Sequence, residues 1–309
     1  MRAIRQQSFG GPEVLHLVDV DRPEPGPTEV LVRVRAAGVN PVDWKCRAAP
    51  RFLGAPPFTL GWDVSGVVEA VAVGVNRFAP GDEVFGMLRF PREAGAYAEY
   101  VTAPSRHLAR KPARLSHVEA AGLPLAGLTA WQILVETADI RAGQRVLVTA
   151  AGGGVGHLAV QVAKARGAYV IGTARRVKHQ FLRELGADEV IDYTTTDVAG
   201  ATGDLDLVVD LLGGQSSVRA VPTLRPGGLL VPVTGGGDPA IHTAAAAHGV
   251  RVARFLVEPD HAGLEGLAAL VDAGQLHVEI DTVLPLADAS KAHELGEAGR
   301  TRGKIVLTP

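Results

Sequence analysis

Hydrophobic and polar positions follow one pattern in the N-terminal part of the chain and another in its central part. Up to about residue 115, short runs rich in β-branched residues alternate with turns, as in 30–39 (VLVRVRAAGV) and 65–75 (SGVVEAVAVGV). Proline and glycine mark the turns, as in 80–82 (PGD). Short strands separated in this way are typical of compact all-β domains, so the pattern predicts a barrel-like β domain.

From about residue 118, apolar runs alternate with stretches of helical periodicity. The predicted strands are 146–150, 168–174, 189–193, 205–214 and 227–237, and the predicted helices are 155–166 and 178–186. Strands spaced by helices of this length predict a parallel, doubly wound sheet, and therefore an α/β fold. The tail from about residue 259 shows one helix, 263–274, and a closing strand, 304–308.

A glycine-rich turn follows the first of these strands and leads into the first helix. The strict G-x-G-x-x-G pattern fails because Ala151 stands at its first position, whereas Ala150, Gly153 and Gly156 fit A-x-x-G-x-x-G. A helix N-terminus offers unpaired N–H groups and a positive dipole end, and glycines let a pyrophosphate approach the backbone. Between a strand and a helix, the turn predicts a dinucleotide site; the alternative is an ordinary glycine-rich turn.

The residues after the second strand indicate which dinucleotide is bound. An NAD site usually has Asp or Glu there, to bind the ribose 2′-hydroxyl. Here 172–174 (GTA) is followed by Arg175, Arg176 and Lys178, and no acidic residue comes before Glu184. Cations suit a 2′-phosphate, so the position predicts NADP; the alternative is a solvated basic helix start.

Composition and charge exclude several classes of function. The formal net charge of -2, with mixed signs, argues against a protein that binds nucleic acid through charge. A single cysteine, Cys46, excludes an intrachain disulfide and a cysteine-rich zinc site. We find no segment like a signal peptide and no window as long as a membrane span, so we expect a soluble, cytoplasmic protein that does not bind membranes.

Several stretches, taken together, carry a resemblance to a known family. The chain resembles the medium-chain dehydrogenase/reductase superfamily, and within it the zinc-independent quinone oxidoreductase branch. The matching stretches are 36–47 (AAGVNPVDWKCR), 61–75 (GWDVSGVVEAVAVGV), 78–86 (FAPGDEVFG), 95–101 (GAYAEYV), 123–134 (LPLAGLTAWQIL), the glycine turn, 185–193 (LGADEVIDY) and 303–307 (GKIVL). The resemblance implies a GroES-like β-barrel catalytic domain, built from 1–117 and 259–309, with a Rossmann NADP-binding domain, 118–258, inserted between them.

The chain departs from the zinc-dependent members of this superfamily. Those members place a cysteine in the segment corresponding to 37–40 (AGVN) and a histidine where Trp62 stands, and they carry a four-cysteine lobe. Zinc needs three or four converging thiolate, imidazole or carboxylate ligands. Asn40, Trp62 and the lone Cys46 cannot supply them, and the ten histidines are scattered. We therefore expect no metal.

Without a Lewis acid, hydride transfer to an unpolarised ketone is hard, whereas a conjugated acceptor or a quinone takes a hydride readily. The resemblance therefore implies an enzyme that reduces a small-molecule enone, enal or quinone with NADPH. Two alternatives stay open: a dehydrogenase or ketoreductase acting on an alcohol–carbonyl pair, and a non-catalytic NADP-binding protein.

The resemblance also implies the residues of the site. Asn40, Asp43 and Trp44 lie on the catalytic loop beside the nicotinamide, although Asp43 could instead only anchor that loop. No residue is recognised as the general acid, which leaves a proton from bulk water. The implied cofactor-binding residues are Gly153, Gly154, Val155 and Gly156 at the pyrophosphate; Thr173, Ala174, Arg175, Lys178 and Tyr193 around the 2′-phosphate; and Thr129, Leu212, Gly213, Val233, Thr234, Phe255, Leu256 and Val257 in the nicotinamide half. For Tyr193, a packed aromatic at a strand end is the alternative.

Three further segments carry expectations about structure. The run 249–257 (GVRVARFLV) is interpreted as the edge strand of the Rossmann sheet, which relatives pair across a two-fold axis, so we expect a homodimer. Tyr97 and Tyr100 are interpreted as structural residues of a strand at 95–101. The alternation around Lys304 predicts a half-buried closing strand, from which the lysine could reach the cofactor.

Overall fold

The computed structural model describes all 309 residues, Met1 to Pro309, and the chain forms two compact units. The split unit comprises Met1–Leu128, Glu258–Ala273 and Val278–Pro309. The central unit comprises Thr129–Val257 and Gly274–His277. The domain bounds given above from the sequence, with breaks at 117/118 and 258/259, remain a prediction. No helix is both long enough and apolar enough to cross a membrane.

The first part of the split unit is built mainly from short strands. Its strands are β1 (Arg2–Gln6), β2 (His16–Asp19), β3 (Glu29–Val39), β4 (Phe58–Thr59), β5 (Asp63–Val71), β6 (Glu83–Met87), β7 (Tyr100–Pro104) and β8 (Leu108–Arg110). Helices α1 (Pro41–Ala48) and α2 (His117–Gly122) accompany them, and the next helix, α3 (Pro124–Trp131), includes the boundary between the two units at Leu128 and Thr129. Helix α1 begins immediately after β3 because Pro41, at its first position, has a backbone angle that suits a helix start and lacks an N–H.

The central unit alternates strands and helices. Its strands are β9 (Arg145–Val148), β10 (Tyr169–Thr173), β11 (Glu189–Ile191), β12 (Leu205–Asp210), β13 (Leu224–Pro232) and β14 (Arg251–Val252). Its helices are α4 (Gly156–Ala165), α5 (His179–Glu184), α6 (Val198–Ala201), α7 (Gln215–Ala220) and α8 (Pro239–His248), and a π-helical segment, Gln132–Thr137, precedes them. The strands pair in parallel in the order β11-β10-β9-β12-β13-β14, so the predicted doubly wound sheet is confirmed.

The tail contains α9 (His261–Asp272), β15 (Ile280–Pro285), α10 (Ala289–Glu297) and β16 (Lys304–Thr308). The expectation of a single helix was wrong, because α10 was missed. Its buried face consists of small or polar residues such as Ala292, His293 and Gly296, while Leu295 is 37% exposed. A helix without a stripe of large apolar residues leaves no periodic signal in the sequence.

In the split unit, seven strands form a sheet with the order β15-β16-β3-β5-β6-β8, and β7 also pairs with β3. Strands β2, β1 and β4 form a second sheet. The hydrogen-bonded strands form open sheets rather than a closed barrel. Strand β16 lies between β15 and β3, and helices α2 and α10 pack against it. Its first four residues are all buried, so the expectation of a half-buried strand was wrong.

Two other predicted strands are shorter than the sequence suggested. In the run 95–101, regular pairing with β3 begins only at Tyr100, although the Tyr97 N–H donates to the Leu60 carbonyl and the Tyr97 carbonyl accepts from Ile4 of β1. The run 249–257 pairs with β13 only over Arg251–Val252. Pro232, further along β13, has no N–H with which to extend that ladder.

Candidate active site

In the central unit, the implied cofactor residues follow the carboxyl ends of successive strands. The glycine turn follows β9, Thr173 ends β10, and Tyr193 comes two residues after β11. The pairs 212–213 and 233–234 follow β12 and β13. Because the carboxyl ends of parallel strands meet at one edge of the sheet, these segments share that edge, where open α/β sheets bind ligands. Thr129 lies instead within α3, and 255–257 lies beyond β14.

The glycine turn leaves the start of α4 open. Val155 stands at the N-cap and provides no side-chain hydrogen bond, so α4 begins with N–H groups that no side chain caps. The turn itself is fixed by the backbone: the Gly153 N–H donates to the Ala150 carbonyl at 3.0 Å, and the Ala150 N–H donates to the Thr173 hydroxyl at 3.2 Å. Thr173 therefore holds the turn in place.

Two glycines of this turn differ in the space available for a side chain. A Cβ atom at Gly156 would lie 2.5 Å from the Ala150 oxygen and 2.6 Å from the Ala151 Cα, so only glycine allows α4 to approach β9 so closely. A Cβ atom at Gly153 would meet nothing nearer than the Ala150 oxygen at 3.3 Å. The protein itself therefore needs glycine at 156 far more than at 153, and the space beside Gly153 fits a bound pyrophosphate.

The basic turn after β10 is held beside the glycine turn. The Lys178 ammonium donates to the Gly152 carbonyl at 3.2 Å, and the Arg175 Nε–H donates to the Tyr193 hydroxyl at 3.1 Å. Asp192 accepts the Arg176 N–H at 3.1 Å, which anchors the turn. Tyr193 is 48% exposed, so it is not a packed core aromatic. Arg175, Lys178 and Tyr193 fit a phosphate ester.

A buried aspartate that the sequence analysis did not single out shapes the loop after β12. Asp210 accepts hydrogen bonds from the Thr149, Ser216 and Ser217 hydroxyls, and from the N–H groups of residues 212 and 213. This loop borders a cavity of about 550 Å³, a volume typical of small-molecule sites. Thr149, Thr173, Tyr193 and Leu212 are among the residues that line the cavity.

The split unit contains a second polar cluster, centred on Asn40, the N-cap of α1. The Asn40 N–H donates to Asp43 Oδ2 at 2.6 Å, and its Nδ2 donates to Asp63 Oδ2 at 2.8 Å. Its Oδ1 accepts from the Lys304 ammonium, which also lies 3.8 Å from Asp63. All four residues are at most 3% exposed. Asp43 and Trp44 thus stand on a helix rather than on a loop, and Asn40 uses all its polar groups.

Burial dominates the proton equilibria of this cluster. It raises the pKa of the Asp43 carboxyl from 3.8 to about 7, although hydrogen bonds from Asn40 and Tyr97 oppose the rise. It raises the pKa of Asp63 from 3.8 to about 6, against the effect of the nearby Lys304 charge, and it lowers the pKa of Lys304. The cluster therefore combines a lysine whose pKa is lowered with two carboxyl groups of unusually high proton affinity.

Tyr97 and His293 extend the cluster, although Tyr97 was expected to be structural and the helix that carries His293 was not predicted. The Tyr97 hydroxyl lies 2.9 Å from Asp43 Oδ2 and 3.3 Å from His293 Nε2. Arg47 lies 3.2 Å from His293 Nδ1 and forms an ion pair with Glu297 at 2.8 Å. A short polar run around His293 in the tail was the only signal in the sequence.

Comparison with known proteins establishes the family. The family described as "Alcohol dehydrogenase GroES-like domain" matches residues 26–113, and "Zinc-binding dehydrogenase" matches residues 185–307. The chloroplast envelope quinone oxidoreductase homolog of Arabidopsis thaliana is 35% identical over 100% of this chain and 98% of its own length. The chain belongs to the medium-chain dehydrogenase/reductase superfamily. Within that superfamily it falls in the quinone oxidoreductase-like branch and is an oxidoreductase.

Solved structures agree with this assignment. The quinone oxidoreductase from Coxiella burnetii has a TM-score of 0.95 and 38% identity, covering 100% of this chain and 99% of that one. The Escherichia coli quinone oxidoreductase complexed with NADPH has a TM-score of 0.90 and 29% identity, covering 100% of both chains. The predicted α/β fold class, with a GroES-like domain and a Rossmann sheet, is thereby confirmed, apart from the closed barrel.

One of the matching family descriptions names zinc, but the residues present do not fit that ion. Trp62 is fully buried, and its Nε1 donates to the Arg92 carbonyl at 2.7 Å. Asn40 and Asp63 already hold the Lys304 ammonium, a cation of the protein itself. No group of three or more His, Cys, Asp or Glu side chains is arranged to hold a metal ion. The absence of zinc from the protein in solution stays a prediction.

Proposed function

We propose that this oxidoreductase uses NADPH to reduce a quinone, or a C=C bond conjugated to a carbonyl group, without a metal ion. The proposal depends chiefly on one observation: a basic turn containing Arg175 and Lys178 lies beside an uncapped helix start, where an NAD site would carry an acidic residue. When bound, NADPH supplies the hydride. The similar quinone oxidoreductase of Escherichia coli, solved in complex with NADPH, supports this cofactor.

The residues of the central unit have three tasks in this proposal. The N–H groups of 154–156, which no side chain caps, bind the pyrophosphate, whose negative charge suits the positive end of α4. Arg175, Lys178 and Tyr193 bind the 2′-phosphate through charge-assisted hydrogen bonds. The remaining implied residues, Thr129, Leu212, Gly213, Val233, Thr234, Phe255, Leu256 and Val257, border the nicotinamide half.

A conjugated acceptor suits the residues of the split unit. The buried cluster around Asn40 places an ammonium where a zinc-dependent relative would need ligands, so a ketone would lack the polarisation that zinc provides. A quinone or enone needs less polarisation than a ketone, because the negative charge that develops spreads over a conjugated system. One relative, 33% identical, is named 2-haloacrylate reductase, and haloacrylates contain such a C=C bond.

A dehydrogenase acting on alcohols is the second candidate. A solved structure 37% identical to this chain, with a TM-score of 0.91, is named NAD-dependent alcohol dehydrogenase. That activity would require either a metal ion or another electrophile at the carbonyl oxygen. It would also require tolerance of NADH, whereas the turn after β10 has cations in place of the acidic residue.

Steady-state oxidation of NADPH with three acceptors tests the proposal. The acceptors are a quinone, a cyclic enone and the saturated ketone of the same ring size, which differs from the enone only in the C=C bond. We expect turnover with the quinone or the enone and none with the ketone, before and after treatment with EDTA. Turnover with the ketone alone would favour the dehydrogenase, and no turnover with any acceptor would favour a non-catalytic NADP-binding protein. Loss of activity with EDTA that zinc restores would contradict the metal-free reaction.

A further inference from the structure

A chain of hydrogen bonds in the split unit joins the partly exposed Glu297 to the buried Asn40. It passes through Arg47, His293 and Tyr97 to Asp43, which accepts the Asn40 N–H. Helix α1 contributes Arg47 and Asp43, α10 contributes His293 and Glu297, and Tyr97 comes from the segment before β7. The three buried side chains at its centre, Arg47, His293 and Tyr97, are at most 2% exposed.

Arg47 fixes which atom donates and which accepts in each hydrogen bond of this chain. A guanidinium group has only donors, so His293 Nδ1, 3.2 Å from the Arg47 Nη1, must be an acceptor. Burial, with Arg47 nearby, lowers the pKa of His293 to about 3, so the imidazole is neutral at physiological pH. A neutral imidazole with an accepting Nδ1 carries its proton on Nε2. Arg47 itself is fixed, because its Nε donates to the Gly10 carbonyl at 3.1 Å and its Nη2 to Glu297.

The protonation state of His293 then determines the donors and acceptors at Tyr97 and Asp43. The His293 Nε2–H donates to the Tyr97 oxygen, which leaves the Tyr97 O–H to donate to Asp43 Oδ2. The ring of Trp44 lies edge-on to His293, with centroids 6.1 Å apart. Because Arg47 cannot give up its proton, the chain does not conduct protons to solvent. Its effect is to orient groups.

The hydrogen bonds of Asp43, at the end of this hydrogen-bond chain, are not arranged for stability alone. Asp43 Oδ2 accepts two donors, whereas Asp43 Oδ1 is buried without any hydrogen-bond partner. A buried unpaired polar atom destabilises a fold, so its presence calls for an explanation. Fixing Asp43 also fixes the backbone of Asn40, and the Asn40 amide in turn holds Asp63 and Lys304.

We propose that His293 and Tyr97 are positioning residues, which hold Asp43 and, through it, the Asn40–Lys304 pair in the single orientation that the reduction requires. The role rests on the proposed function, because it assigns these residues to that reaction. It places neither residue in contact with the substrate. A purely structural role would lower the stability of the protein but leave the turnover of folded molecules unchanged.

The first test replaces Tyr97 with phenylalanine, which removes one oxygen atom and keeps the ring. We expect kcat with the accepted quinone or enone to fall about tenfold, well below the unfolding temperature, while the NADPH dissociation constant changes less than twofold. The matched control is Tyr100→Phe, three residues further along. The Arg22 guanidinium covers the Tyr100 ring, 4.1 Å from its centroid, and Tyr100 is not part of the hydrogen-bond chain. The control should keep the wild-type kcat.

The second test determines the tautomer of His293 in the wild-type protein, and with it which atoms donate in the hydrogen-bond chain. Nitrogen NMR of ¹⁵N-histidine-labelled protein, assigned with a His293→Gln variant, should show His293 as the neutral Nε2–H tautomer from pH 5 to 8. A protonated ring or the Nδ1–H tautomer would overturn the proposal. So would an active wild-type enzyme whose Tyr97→Phe variant keeps its kcat, and that result would leave the proposed function standing. A wild-type protein without activity toward any acceptor would overturn the proposed function and, with it, the positioning role.

Discussion

The ammonium of Lys304 contacts the side-chain oxygen of Asn40, although 264 positions separate the two residues in the sequence. The contact exists because β16 pairs antiparallel with β3, with Ile305 opposite Val39, so Lys304 is placed at the end of β3 where α1 begins. The same ammonium lies 3.8 Å from Asp63 on β5. The last strand of the chain thus places a buried lysine beside Asn40, Asp43 and Asp63, which all come from the first third of the sequence.

Replacing Lys304 by methionine should destabilise the protein strongly. The side chain is 3% exposed, and its removal leaves the buried Asp63 carboxylate without its cation. Breaking a buried ion pair from one side typically costs about 3–5 kcal/mol. Urea unfolding at pH 8 measures the loss. Adding Asp63→Asn should restore part of the stability, because it removes the unpaired charge; a double variant less stable than Lys304→Met would contradict this account.

The loss of stability in Lys304→Met should depend on pH. The folded pKa of Asp63 is about 6, above the ordinary 3.8, and removing Lys304 raises it further. The folded state therefore binds more protons than the unfolded state, so this carboxyl lowers stability as pH rises from about 4 through its folded pKa. We expect the stability difference between the variant and wild type to be smaller at pH 5 than at pH 8. A difference that does not change over this range would show that the carboxylate is not the cause.

Cofactor preference should depend on the basic turn after β10. In the wild-type protein we expect NADPH to bind at least tenfold more tightly than NADH, a difference of about 1.4 kcal/mol or more. The double variant Arg175→Ala, Lys178→Ala should lose most of that preference and bind NADH nearly as before, because NADH has no 2′-phosphate. Calorimetric titration measures both constants. Equal affinities in the wild-type protein would contradict an NADP site.

The homodimer is a separate prediction, based on the edge of the central sheet. Strand β14 pairs only with β13 and only over two residues, so its outer edge has no partner within the chain. Beyond it, Leu256 is 51% exposed. Pairing across a two-fold axis would cover this edge. Light scattering at micromolar concentration should give twice the mass of one chain, and a monomeric mass would show that the edge stays open.

The features predicted from the sequence were local ones. The glycine turn, between a strand and a helix, was predicted from the sequence pattern, whereas its neighbours at 212–213 and 233–234 were implied by the family resemblance. The contacts of Tyr97 and His293 join segments far apart in the chain, 54 residues from Asp43 to Tyr97 and 196 from Tyr97 to His293. No periodic pattern encodes such contacts, and α10 lacks the apolar stripe that would have revealed it.

The two glycines of the turn after β9 should respond differently to substitution. Gly153→Val adds a side chain where the protein offers space and the proposal places the pyrophosphate, since the nearest atom to a Cβ there is the Ala150 oxygen at 3.3 Å. The NADPH dissociation constant should rise about tenfold or more, a change of at least ~1.4 kcal/mol, with little change in thermal stability. Gly156→Val should lower the melting temperature as well, because a Cβ at that position lies 2.6 Å from the Ala151 Cα.

The control for both substitutions is Gly203→Val, also in the central unit, where a Cβ would meet nothing within 4 Å. This variant should keep both the wild-type affinity for NADPH and the wild-type melting temperature, because its side chain touches neither α4 nor the glycine turn. Calorimetric titration and thermal unfolding of the three variants separate ligand approach from packing. If Gly153→Val binds NADPH as tightly as wild type, the turn does not bind the pyrophosphate, and the NADPH-dependent function loses its main support. If Gly156→Val unfolds at the wild-type temperature, α4 does not need the close approach to β9.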